Sequence, residues 1–252
     1  MTGKRADGFH NIESIFYPVH FEDVLEILPA DSFSFHGHGI PVTGKTSDNL
    51  CVKAYELLRQ QHDLPAVEMH LLKNIPAGAG LGGGSSDASY TLKLLNEVFD
   101  LNIDRPQLEK YAAQLGSDCP FFIANTSAYI SGRGEMLEPV DLSLKGYYIT
   151  IVHPGIHIST REAFANLKPS AADISIKEII KKPVEQWKDL LRNDFEAYAF
   201  QTYPVLTEIK QKLYDAGAIY ASMSGSGSAV YGIAEKEISV SLKDFTVWKG
   251  KL

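Results

Sequence analysis

The sequence predicts an α+β protein built from two domains. Strand-like and helix-like segments both occur, but they do not alternate in the strict order of a parallel α/β sheet, and the second half is more helical than the first. The length of 252 residues suffices for one large domain or two modest ones. Polar turn residues from Ser143 to Gly146 separate two strand-like segments. We therefore predict an N-terminal domain over residues 1–144 and a C-terminal domain over residues 145–252.

Composition excludes several classes of protein. With 44% hydrophobic and 22% charged residues, the chain resembles an ordinary soluble globular protein. A net charge of −7, without a run of Lys and Arg, argues against nucleic acid as the main partner. No apolar run reaches membrane-spanning length, and no signal-peptide core is visible, so we expect no membrane partner. Cys51 and Cys119 are too few for a disulfide framework and lack metal-site spacing, which favours a cytoplasmic location.

A glycine-rich stretch lies between a predicted strand, Val67 to Leu72, and a predicted helix, Ser85 to Phe99. Glycine buries no side chain and costs backbone entropy on folding, so such a run indicates a close approach of the backbone to another group. The first-turn N–H groups of a helix lack intrahelical partners, and the macrodipole adds positive charge there. We therefore predict a phosphate-binding loop made of Pro76, Ala77, Gly78, Ala79, Gly80, Leu81, Gly82, Gly83, Gly84, Ser85 and Ser86.

Two better-known glycine loops do not fit this stretch. The spacing Gly78-x-Gly80-x-x-Gly83 matches the dinucleotide fingerprint, but the acidic residue at the required distance, Asp100, closes a helix without an intervening strand. The Walker loop requires a lysine before its serine, and Gly84 occupies that position here. A flexible linker is the remaining alternative, and the periodic elements on both sides argue against it.

The polar residues after the glycines have two possible roles. Ser85 and Ser86 can each cap the helix or lend a hydroxyl to the phosphate, and the two roles are compatible. Asp87 favours the helix electrostatically but repels a polyphosphate, so we expect its side chain to point away from the loop.

Strands are predicted in the N-terminal part of the chain. Apolar residues from Ile12 to Ile27 suggest strands, and Phe33 to Ile40 is a weaker strand that glycine interrupts. Within it, His36 and His38 flank Gly37, which indicates a polar turn rather than a metal site. The sequence therefore does not identify the metal ligands of the protein.

Helices and strands follow in mixed order. A helix is predicted from Leu50 to Gln61 with Asp48 as its N-cap, and another from Arg105 to Gln114. The tail from Phe245 to Leu252 carries no clear pattern. The remaining predictions are strands at Ala128 to Ser131, Glu135 to Val140, Tyr147 to Val152 and Ala229 to Ala234, and helices at Thr160 to Asn166, Ile176 to Ile180, Val184 to Leu191 and Phe195 to Asp215.

Four segments in order resemble the motifs of the GHMP kinases. They are Lys4-Arg5-Ala6-Asp7-Gly8-Phe9-His10, Pro76 to Ser89, Leu115 to Pro120 and Ser222 to Ser228. The first is similar to the Lys-Arg-x-Asp-Gly-Tyr-His signature of the branch whose acceptor is 4-diphosphocytidyl-2-C-methyl-D-erythritol. The resemblance implies transfer of the γ-phosphoryl group of ATP to the 2-hydroxyl of that small molecule, a cytidine diphosphate derivative of the non-mevalonate isoprenoid pathway. It also implies an N-terminal ribosomal-protein-S5-like domain with a left-handed βαβ crossover and a C-terminal ferredoxin-like domain.

Asp118 is the predicted catalytic residue. Phosphoryl transfer needs mostly positioning and charge stabilisation, together with a base for the attacking hydroxyl. Gly116 and Pro120 form a sharp turn from which the Asp118 carboxylate can project into a cleft and also contact the substrate. The alternative is that Asp118 caps the helix that begins at Cys119, and the two roles can coexist.

The resemblance assigns further residues to ATP and to the acceptor. Asn49 and Leu50 resemble contacts to the adenine, although capping is a competing explanation for them. Lys73 matches a lysine near the nucleotide, but a lone lysine at a strand end is usually solvated. Mg²⁺ is implied with ATP, and Ser86 is a possible protein ligand for it. The residues that match the acceptor site are Phe9, His10, Thr160, Phe164, Ser224, Gly225 and Ser226, with Phe9 in place of the usual Tyr.

The sequence departs from the family at its start. The family has a strand of the type Pro-x-Ala-Lys-Ile-Asn-Leu before the Lys-Arg-x-Asp-Gly segment, and its lysine is expected beside the catalytic aspartate. This sequence begins at Met1-Thr2-Gly3 without that strand, and we expect a truncation rather than a true loss. Two alternatives stay open: another GHMP small-molecule kinase, or a non-catalytic nucleotide-binding protein. We expect a monomer or a weak homodimer.

Overall fold

The computed structural model describes residues 3–4, 10–167 and 174–252. The strands in these residues are mostly short and antiparallel. In chain order they are β1 (Gly3–Lys4), β2 (His10–Asn11), β3 (Ser14–Phe16), β4 (Val24–Pro29), β5 (Ser34–Gly39), β6 (Val67–Lys73), β7 (Ala128–Ser131), β8 (Met136–Pro139), β9 (Tyr148–His153), β10 (Tyr220–Met223), β11 (Val230–Ala234) and β12 (Thr246–Lys251).

The helices of the same residues vary from one turn to more than four turns. In chain order they are α1 (Leu50–Gln61), α2 (Gly83–Val98), α3 (Arg105–Leu115), α4 (Cys119–Ala124), α5 (Thr160–Ala165), α6 (Ile176–Ile179), α7 (Trp187–Leu190), α8 (Glu196–Thr202) and α9 (Val205–Asp215), with 3₁₀ turns at Thr46–Asp48 and Val184–Gln186. Among the helices in the described residues, none combines the length and the apolar character needed to cross a bilayer.

The chain divides into two compact units, and both are discontinuous in sequence. Unit 1 contains the described residues up to His20, the segment Gly78–Leu81 and Ser127–Leu252, and unit 2 contains Phe21–Ala77 and Gly82–Thr126. The N-terminal segment belongs to unit 1 because β3 pairs with β7. These units therefore differ from the predicted domains 1–144 and 145–252, and that division stays a prediction.

Unit 2 is a three-stranded sheet covered by helices on one face. The strand order is β4–β6–β5, with β6 antiparallel to β4 and parallel to β5. Alternate residues of β6, beginning with Val67, are buried, so one face of the sheet packs on the core and the other is accessible. The buried side chains of α1 and α2, among them Leu58 and Leu92, complete this core. Burial of these side chains is the main stabilising contribution of the unit.

Several predictions for unit 2 are confirmed, and others are wrong in detail. Helix α1 has the predicted bounds, but its N-cap is Asn49 and not Asp48, which lies in the preceding 3₁₀ turn. The Asn49 side chain accepts a hydrogen bond from the Cys51 N–H at 2.9 Å. His36 and His38 lie on strand β5 and not in a turn, because pairing with β6 keeps the backbone extended around Gly37.

Unit 1 contains a larger antiparallel sheet with the order β10–β11–β9–β12. The central strand, β9, is buried along most of its length, as its apolar sequence predicts. Strands β3, β7 and β8 form a second sheet, and β1 pairs antiparallel with β2. The buried faces of α9, including Leu206 and Ile209, pack with Val230 of β11 in one apolar cluster.

One prediction for unit 1 is wrong, and one segment without a prediction forms a strand. The segment from Phe195 to Asp215 is two helices, α8 and α9, because Pro204 lacks the N–H that a continuous helix needs. The apparently patternless tail forms β12, which pairs antiparallel with β9 from Thr246 to Lys251. Pairing to a strand about a hundred residues earlier leaves no local sequence pattern.

Candidate active site

The start of α2, in unit 2, has the geometry expected of an anion site. The helix begins at Gly83 rather than at the predicted Ser85. Its cap, Gly82, has a left-handed φ of 69°, and a Cβ added there would lie 2.8 Å from the Phe122 ring. Glycine has no side chain that could accept hydrogen bonds from the first turn. The cap therefore gives the first-turn N–H groups of α2 no side-chain acceptor, as expected of a helix start that binds an anion.

The two serines of the predicted loop lie within the first turn of α2, so neither is its N-cap. The Ser86 N–H donates to the Gly82 carbonyl at 2.9 Å. The Ser85 side chain forms a hydrogen bond with the Cys119 thiol, whose pKa burial raises. Both serines are half-buried in the first turn of α2, and their contact with phosphate stays a prediction.

Asp118 precedes α4 in unit 2, and its side chain does not cap that helix. Within the described residues, its carboxylate accepts no cap hydrogen bond, since its own backbone is helical. Burial raises the pKa of Asp118, and a hydrogen bond with Ser117 opposes the rise. The hydroxyl of Ser89, on α2, lies 2.7 Å from the Cys119 carbonyl oxygen and 2.9 Å from that of Ser85. The turn that carries Asp118 is thus bonded to the first turns of α2.

Lys73 is buried at the end of β6, with 4% of its side chain exposed. Its ammonium donates to the Asp87 carboxylate at 2.7 Å and also to that of Asp23. Burial lowers the pKa of Lys73, but the two carboxylates outweigh it and raise the pKa above its ordinary value. The interpretation of Lys73 as a solvated lysine is therefore wrong. Its contact with nucleotide stays a prediction.

The residues assigned to adenine lie at the start of α1. Asn49 caps this helix, so the competing explanation holds for its side chain. The Leu50 side chain is 3.8 Å from the position of a Cβ added to Gly84. Leu50 thus lies against the first turn of α2, within the same unit. The adenine contacts assigned to Asn49 and Leu50 therefore stay predictions.

The first half of the glycine loop belongs to unit 1. Gly80 has a φ of 78°, and a Cβ there would lie 2.2 Å from the Ser224 carbonyl oxygen. The Ser224 hydroxyl donates to the Gly80 carbonyl at 2.7 Å, and the Ala229 N–H donates to the Ala79 carbonyl at 3.0 Å. The two glycine-containing segments that the sequence singled out, 78–81 and 222–228, are therefore in direct contact within this unit. The nearby Pro76 and Ala77 belong to unit 2, where Pro76 is buried.

The residues assigned to the acceptor come together within unit 1. The His10 and Phe164 rings have centroids 5.7 Å apart, and Phe195 packs edge-on against Phe164 at 4.9 Å. The hydroxyls of Thr160 and Ser226 are 3.3 Å apart. Gly225, between Ser224 and Ser226, approaches Gly80 closely enough that an added Cβ would be 3.4 Å from its carbonyl oxygen. Phe9 lies outside the described residues.

Comparison with known proteins decides the family. The model for the N-terminal domain of the GHMP kinases matches residues 49–126, and that for the C-terminal region matches residues 175–242. The 4-diphosphocytidyl-2-C-methyl-D-erythritol kinase of Bacteroides thetaiotaomicron is 55% identical over 241 residues, which are 94% of this chain and 88% of that protein. The chain belongs to the GHMP kinases.

Two further relatives support this GHMP kinase assignment. A protein of the same name from Parabacteroides distasonis is 47% identical, covering 100% of this chain and 94% of its own. The crystal structure of a 4-(cytidine 5'-diphospho)-2C-methyl-D-erythritol kinase matches with a TM-score of 0.81 at 31% identity, covering 93% of this chain and 85% of that one. The predicted family and its α+β, two-domain fold are confirmed, while the left-handed crossover stays a prediction. A small-molecule kinase that uses ATP follows from the family, and the shared name disfavours both alternatives.

Two acidic residues of this GHMP kinase were missed as partners of Lys73. Asp23 accepts hydrogen bonds from the Asn74 and Ile75 N–H groups, at 2.6 and 2.9 Å, besides binding the Lys73 ammonium. Asp87 is buried and its carboxylate accepts from the Lys73 ammonium, while its direction relative to the loop stays a prediction. Burial raises the pKa of Asp87 to about 7, although the Lys73 charge opposes the rise. Asp23 could not be found from the sequence, because it lies far from Lys73 along the chain.

The sequence also did not predict which residues hold the third GHMP motif, the segment 222–228, in place. The Asn193 side chain donates to the Met223 and Gly225 carbonyl oxygens, each at 2.8 Å. Glu196 accepts from the Met223 N–H at 2.8 Å and from Lys210 at 2.6 Å. These contacts hold the start of the segment 222–228 in unit 1. Asn193 lies between α7 and α8 and Glu196 begins α8, and a single asparagine or glutamate carries no motif that would have revealed this role.

Proposed function

We propose that this GHMP kinase transfers the γ-phosphoryl group of ATP to the 2-hydroxyl of 4-diphosphocytidyl-2-C-methyl-D-erythritol. The identity of the acceptor is supported by the names of relatives that are 55% and 47% identical over nearly the whole chain. The observation that supports the chemistry is the environment of Asp118. Its carboxylate is not used as a helix cap, and its turn is bonded to the helix whose N-terminus suits phosphate.

The start of α2 supplies the positive field for the triphosphate. Gly82 ends the loop with a left-handed backbone, which directs the N–H groups of Gly83, Gly84 and Ser85 along the helix axis. Backbone donors and the helix dipole stabilise negative charge without a lysine in the loop. Electrostatic stabilisation of this kind is the main contribution that a protein makes to phosphoryl transfer.

Asp118 acts as the general base. Its carboxylate takes the proton of the 2-hydroxyl while the new oxygen–phosphorus bond forms and the bond between the β- and γ-phosphates breaks, which releases ADP. Burial raises the pKa of Asp118, and this makes the carboxylate a stronger base than an exposed aspartate. A base of this kind contributes typically about 10² to 10⁴ in rate.

Mg²⁺ fits this site as an ion that binds together with ATP rather than as one that the protein holds by itself. Mg²⁺ prefers oxygen ligands and binds largely through phosphates and water. Within the described residues, the cluster of histidine and acidic side chains suited to a metal lies on β5 and β6 and not at α2. The Ser86 hydroxyl, in the first turn of α2, is the protein oxygen that we assign to Mg²⁺. When it is bound, the ion neutralises part of the negative charge of the phosphates.

The cytidine end of the acceptor is assigned to unit 1. The half-buried rings of His10 and Phe164 offer a stacking surface and a ring nitrogen for a pyrimidine. The paired hydroxyls of Thr160 and Ser226 offer donors and acceptors to the rest of the molecule. We further propose that the enzyme works in the cytoplasm, as a monomer or a weak homodimer; the buried free thiols of Cys51 and Cys119 suit a reducing compartment.

Turnover with the proposed acceptor tests the function. ADP release is measured with ATP, Mg²⁺ and 4-diphosphocytidyl-2-C-methyl-D-erythritol, and in parallel with mevalonate and homoserine. We expect turnover only with the first compound, and we expect Asp118→Asn to lower kcat by about 10² to 10⁴ with little change in the KM for ATP.

Asp104→Asn is the matched control for this substitution. Asp104 also precedes a helix, but its side chain does cap that helix by accepting from the Gln107 N–H at 2.9 Å. Asparagine caps about as well as aspartate, so this variant should keep its activity. Near-full activity of Asp118→Asn would refute the assignment of Asp118 as the general base. A preference for mevalonate or homoserine would refute the proposed acceptor.

A further inference from the structure

The accessible face of the sheet in unit 2 carries a cluster of histidines that the kinase reaction does not use. His36 and His38 lie on β5, and Glu68 and His70 lie on β6. The parallel register pairs His36 with His70 and Ser34 with Glu68, so all these side chains share one face. The other face of β6 is buried in the core. The cluster therefore arises from strand pairing, on the side of the sheet that the helices leave uncovered.

The distances within the cluster suit a transition-metal ion. The His36 Nε2 is 3.6 Å from the Glu68 Oε1, the His70 Nε2 is 2.9 Å from the same oxygen, and all three ligand atoms lie within 4.8 Å of one another. Ligands of a tetrahedral zinc ion, at about 2.0–2.1 Å from the metal, are about 3.3 Å apart. The observed separations bracket this value, so small side-chain rotations suffice to close the site.

A fourth residue is placed to orient one of the ligands. The His38 Nε2 lies 3.4 Å from the Nδ1 of His70, on a ring stacked against that of His70 at 5.7 Å. If Nε2 of His70 binds a metal, its Nδ1 carries the proton and donates to His38. Metal-binding histidines usually donate their second ring nitrogen in this way, which fixes the tautomer and the orientation of the ring. His38 is thus a positioning residue for His70.

We propose that His36, Glu68 and His70 bind one divalent transition-metal ion of the zinc class, with solvent in the remaining position. Two imidazoles and one carboxylate favour Zn²⁺ and its neighbours over Mg²⁺, which prefers oxygen ligands. The carboxylate compensates part of the charge of the ion, and Glu26, paired in register with His70 from β4, adds negative charge to the same face.

The ion would hold the edge of the sheet. In the described residues, β5 pairs with β6 alone, so it is an edge strand. A metal that joins His36 on β5 to Glu68 and His70 on β6 bridges these strands through side chains as well as backbone. Because the ion binds the folded chain and not the unfolded one, it stabilises this edge and slows its opening.

Metal titration of the full chain tests the proposal without any need for kinase turnover. Protein freed of metal with a chelator is titrated with Zn²⁺ by calorimetry, and with Co²⁺ by visible absorption, which reports the coordination geometry. We expect one ion per chain, a dissociation constant in the micromolar range, no competition from excess Mg²⁺, and slower hydrogen exchange in residues 34–39 when Zn²⁺ is present.

Variants identify the ligands. His70→Ala and His36→Ala should each weaken Zn²⁺ binding by at least about tenfold, and His38→Ala by about 10- to 100-fold with the stoichiometry kept. Glu68→Gln preserves side-chain shape and guards against misfolding as an explanation. His62→Ala is the matched control, since that ring contacts Tyr111 elsewhere in unit 2 and should leave binding unchanged.

Two results would overturn the proposal. One is the absence of saturable Zn²⁺ binding by the folded wild-type chain. The other is binding that survives in both His36→Ala and Glu68→Gln, which would place the ion elsewhere. Loss of kinase activity plays no part in either result, so a failure here is distinct from a failure of the proposed kinase function.

Discussion

The Lys73 ammonium donates a hydrogen bond to the Asp87 carboxylate at 2.7 Å in the interior of unit 2. Only 4% and 9% of these side chains are exposed, and Asp23 binds the same ammonium. The pair joins the end of β6 to the second turn of α2, the helix whose N-terminus we assign to the ATP phosphates. Three buried ionisable groups therefore anchor the helix on which the proposed phosphate site depends.

Removing the central cation should destabilise the protein severely. In Lys73→Met, the carboxylates of Asp23 and Asp87 stay buried without a counter-ion. Breaking a buried ion pair in this way costs about 3–5 kcal/mol. We expect a loss of this size in the free energy of unfolding, measured by urea denaturation with far-ultraviolet circular dichroism.

The matched control is Lys53→Met on the exposed face of α1, which should change the free energy of unfolding by less than about 0.5 kcal/mol. A stable Lys73→Met protein with a raised KM for ATP would contradict the structural role. Such a result would favour the nucleotide contact that the family resemblance implies for Lys73.

Asp87 should make stability fall as the pH rises toward neutrality. Burial raises the pKa of Asp87 to about 7, so the folded chain holds this proton more tightly than the unfolded chain does. Its contribution to stability is then fully present below about pH 4 and is lost as the pH rises to about 7. The free energy of unfolding of the wild type, minus that of Asp87→Asn, should decline over this window by up to about 1.4 kcal/mol per pH unit.

The exposed Asp31, changed to Asn, controls for the loss of one negative charge. The free energy of unfolding of the wild type, minus that of Asp31→Asn, should show no comparable decline over the same pH window. Equal slopes for the two variants, measured by urea denaturation at a series of pH values, would contradict the assignment of this proton to Asp87.

Local patterns predicted the parts of this fold that depend on neighbours in sequence. The bounds of α1 follow from a capping position and a helical apolar period, and β6 follows from its alternation. The glycine run located the start of α2 to within one turn. These features are set by residues a few positions apart, which is the range over which a single sequence is informative.

Long-range pairing accounts for most of what the sequence did not show. Asp23 meets Lys73 only because β4 pairs with β6, and the histidine cluster exists only because β5 pairs with β6 in parallel register. The two compact units are discontinuous for the same reason, since β3 pairs with β7. The contact between Ser224 and Gly80 joins two glycine-rich segments that the sequence singled out separately. No local pattern encodes these partners.

Gly80→Ala should destabilise unit 1, because two separate costs add. The left-handed φ of 78° costs a residue with a side chain about 1–2 kcal/mol, and the added Cβ would lie 2.2 Å from the Ser224 carbonyl, an overlap that costs about 1–3 kcal/mol more. Trp187 and Trp248 both belong to unit 1, so their fluorescence during urea unfolding reports this loss.

Gly146→Ala separates the two costs. Gly146 also has a left-handed φ, 100°, but nothing lies within 4 Å of an added Cβ, so only the conformational cost applies. Equal destabilisation of the two variants would show that the contact between residues 80 and 224 does not constrain the loop.

Asn193 should control binding of the acceptor through the segment 222–228. Its Nδ2 donates to the Met223 and Gly225 carbonyls at 2.8 Å each, so Asn193→Ala leaves both without this donor. We expect about 1–3 kcal/mol of lost stability and a raised KM for the acceptor, since Ser224 and Ser226 are assigned to its site. Asn166→Ala is the matched control, because the Asn166 amide, at the C-terminal end of α5, donates locally to the Glu162 carbonyl at 2.9 Å. Steady-state kinetics with each substrate varied in turn measure both effects, and an unchanged KM for the acceptor in a destabilised Asn193→Ala protein would confine this residue to a structural role.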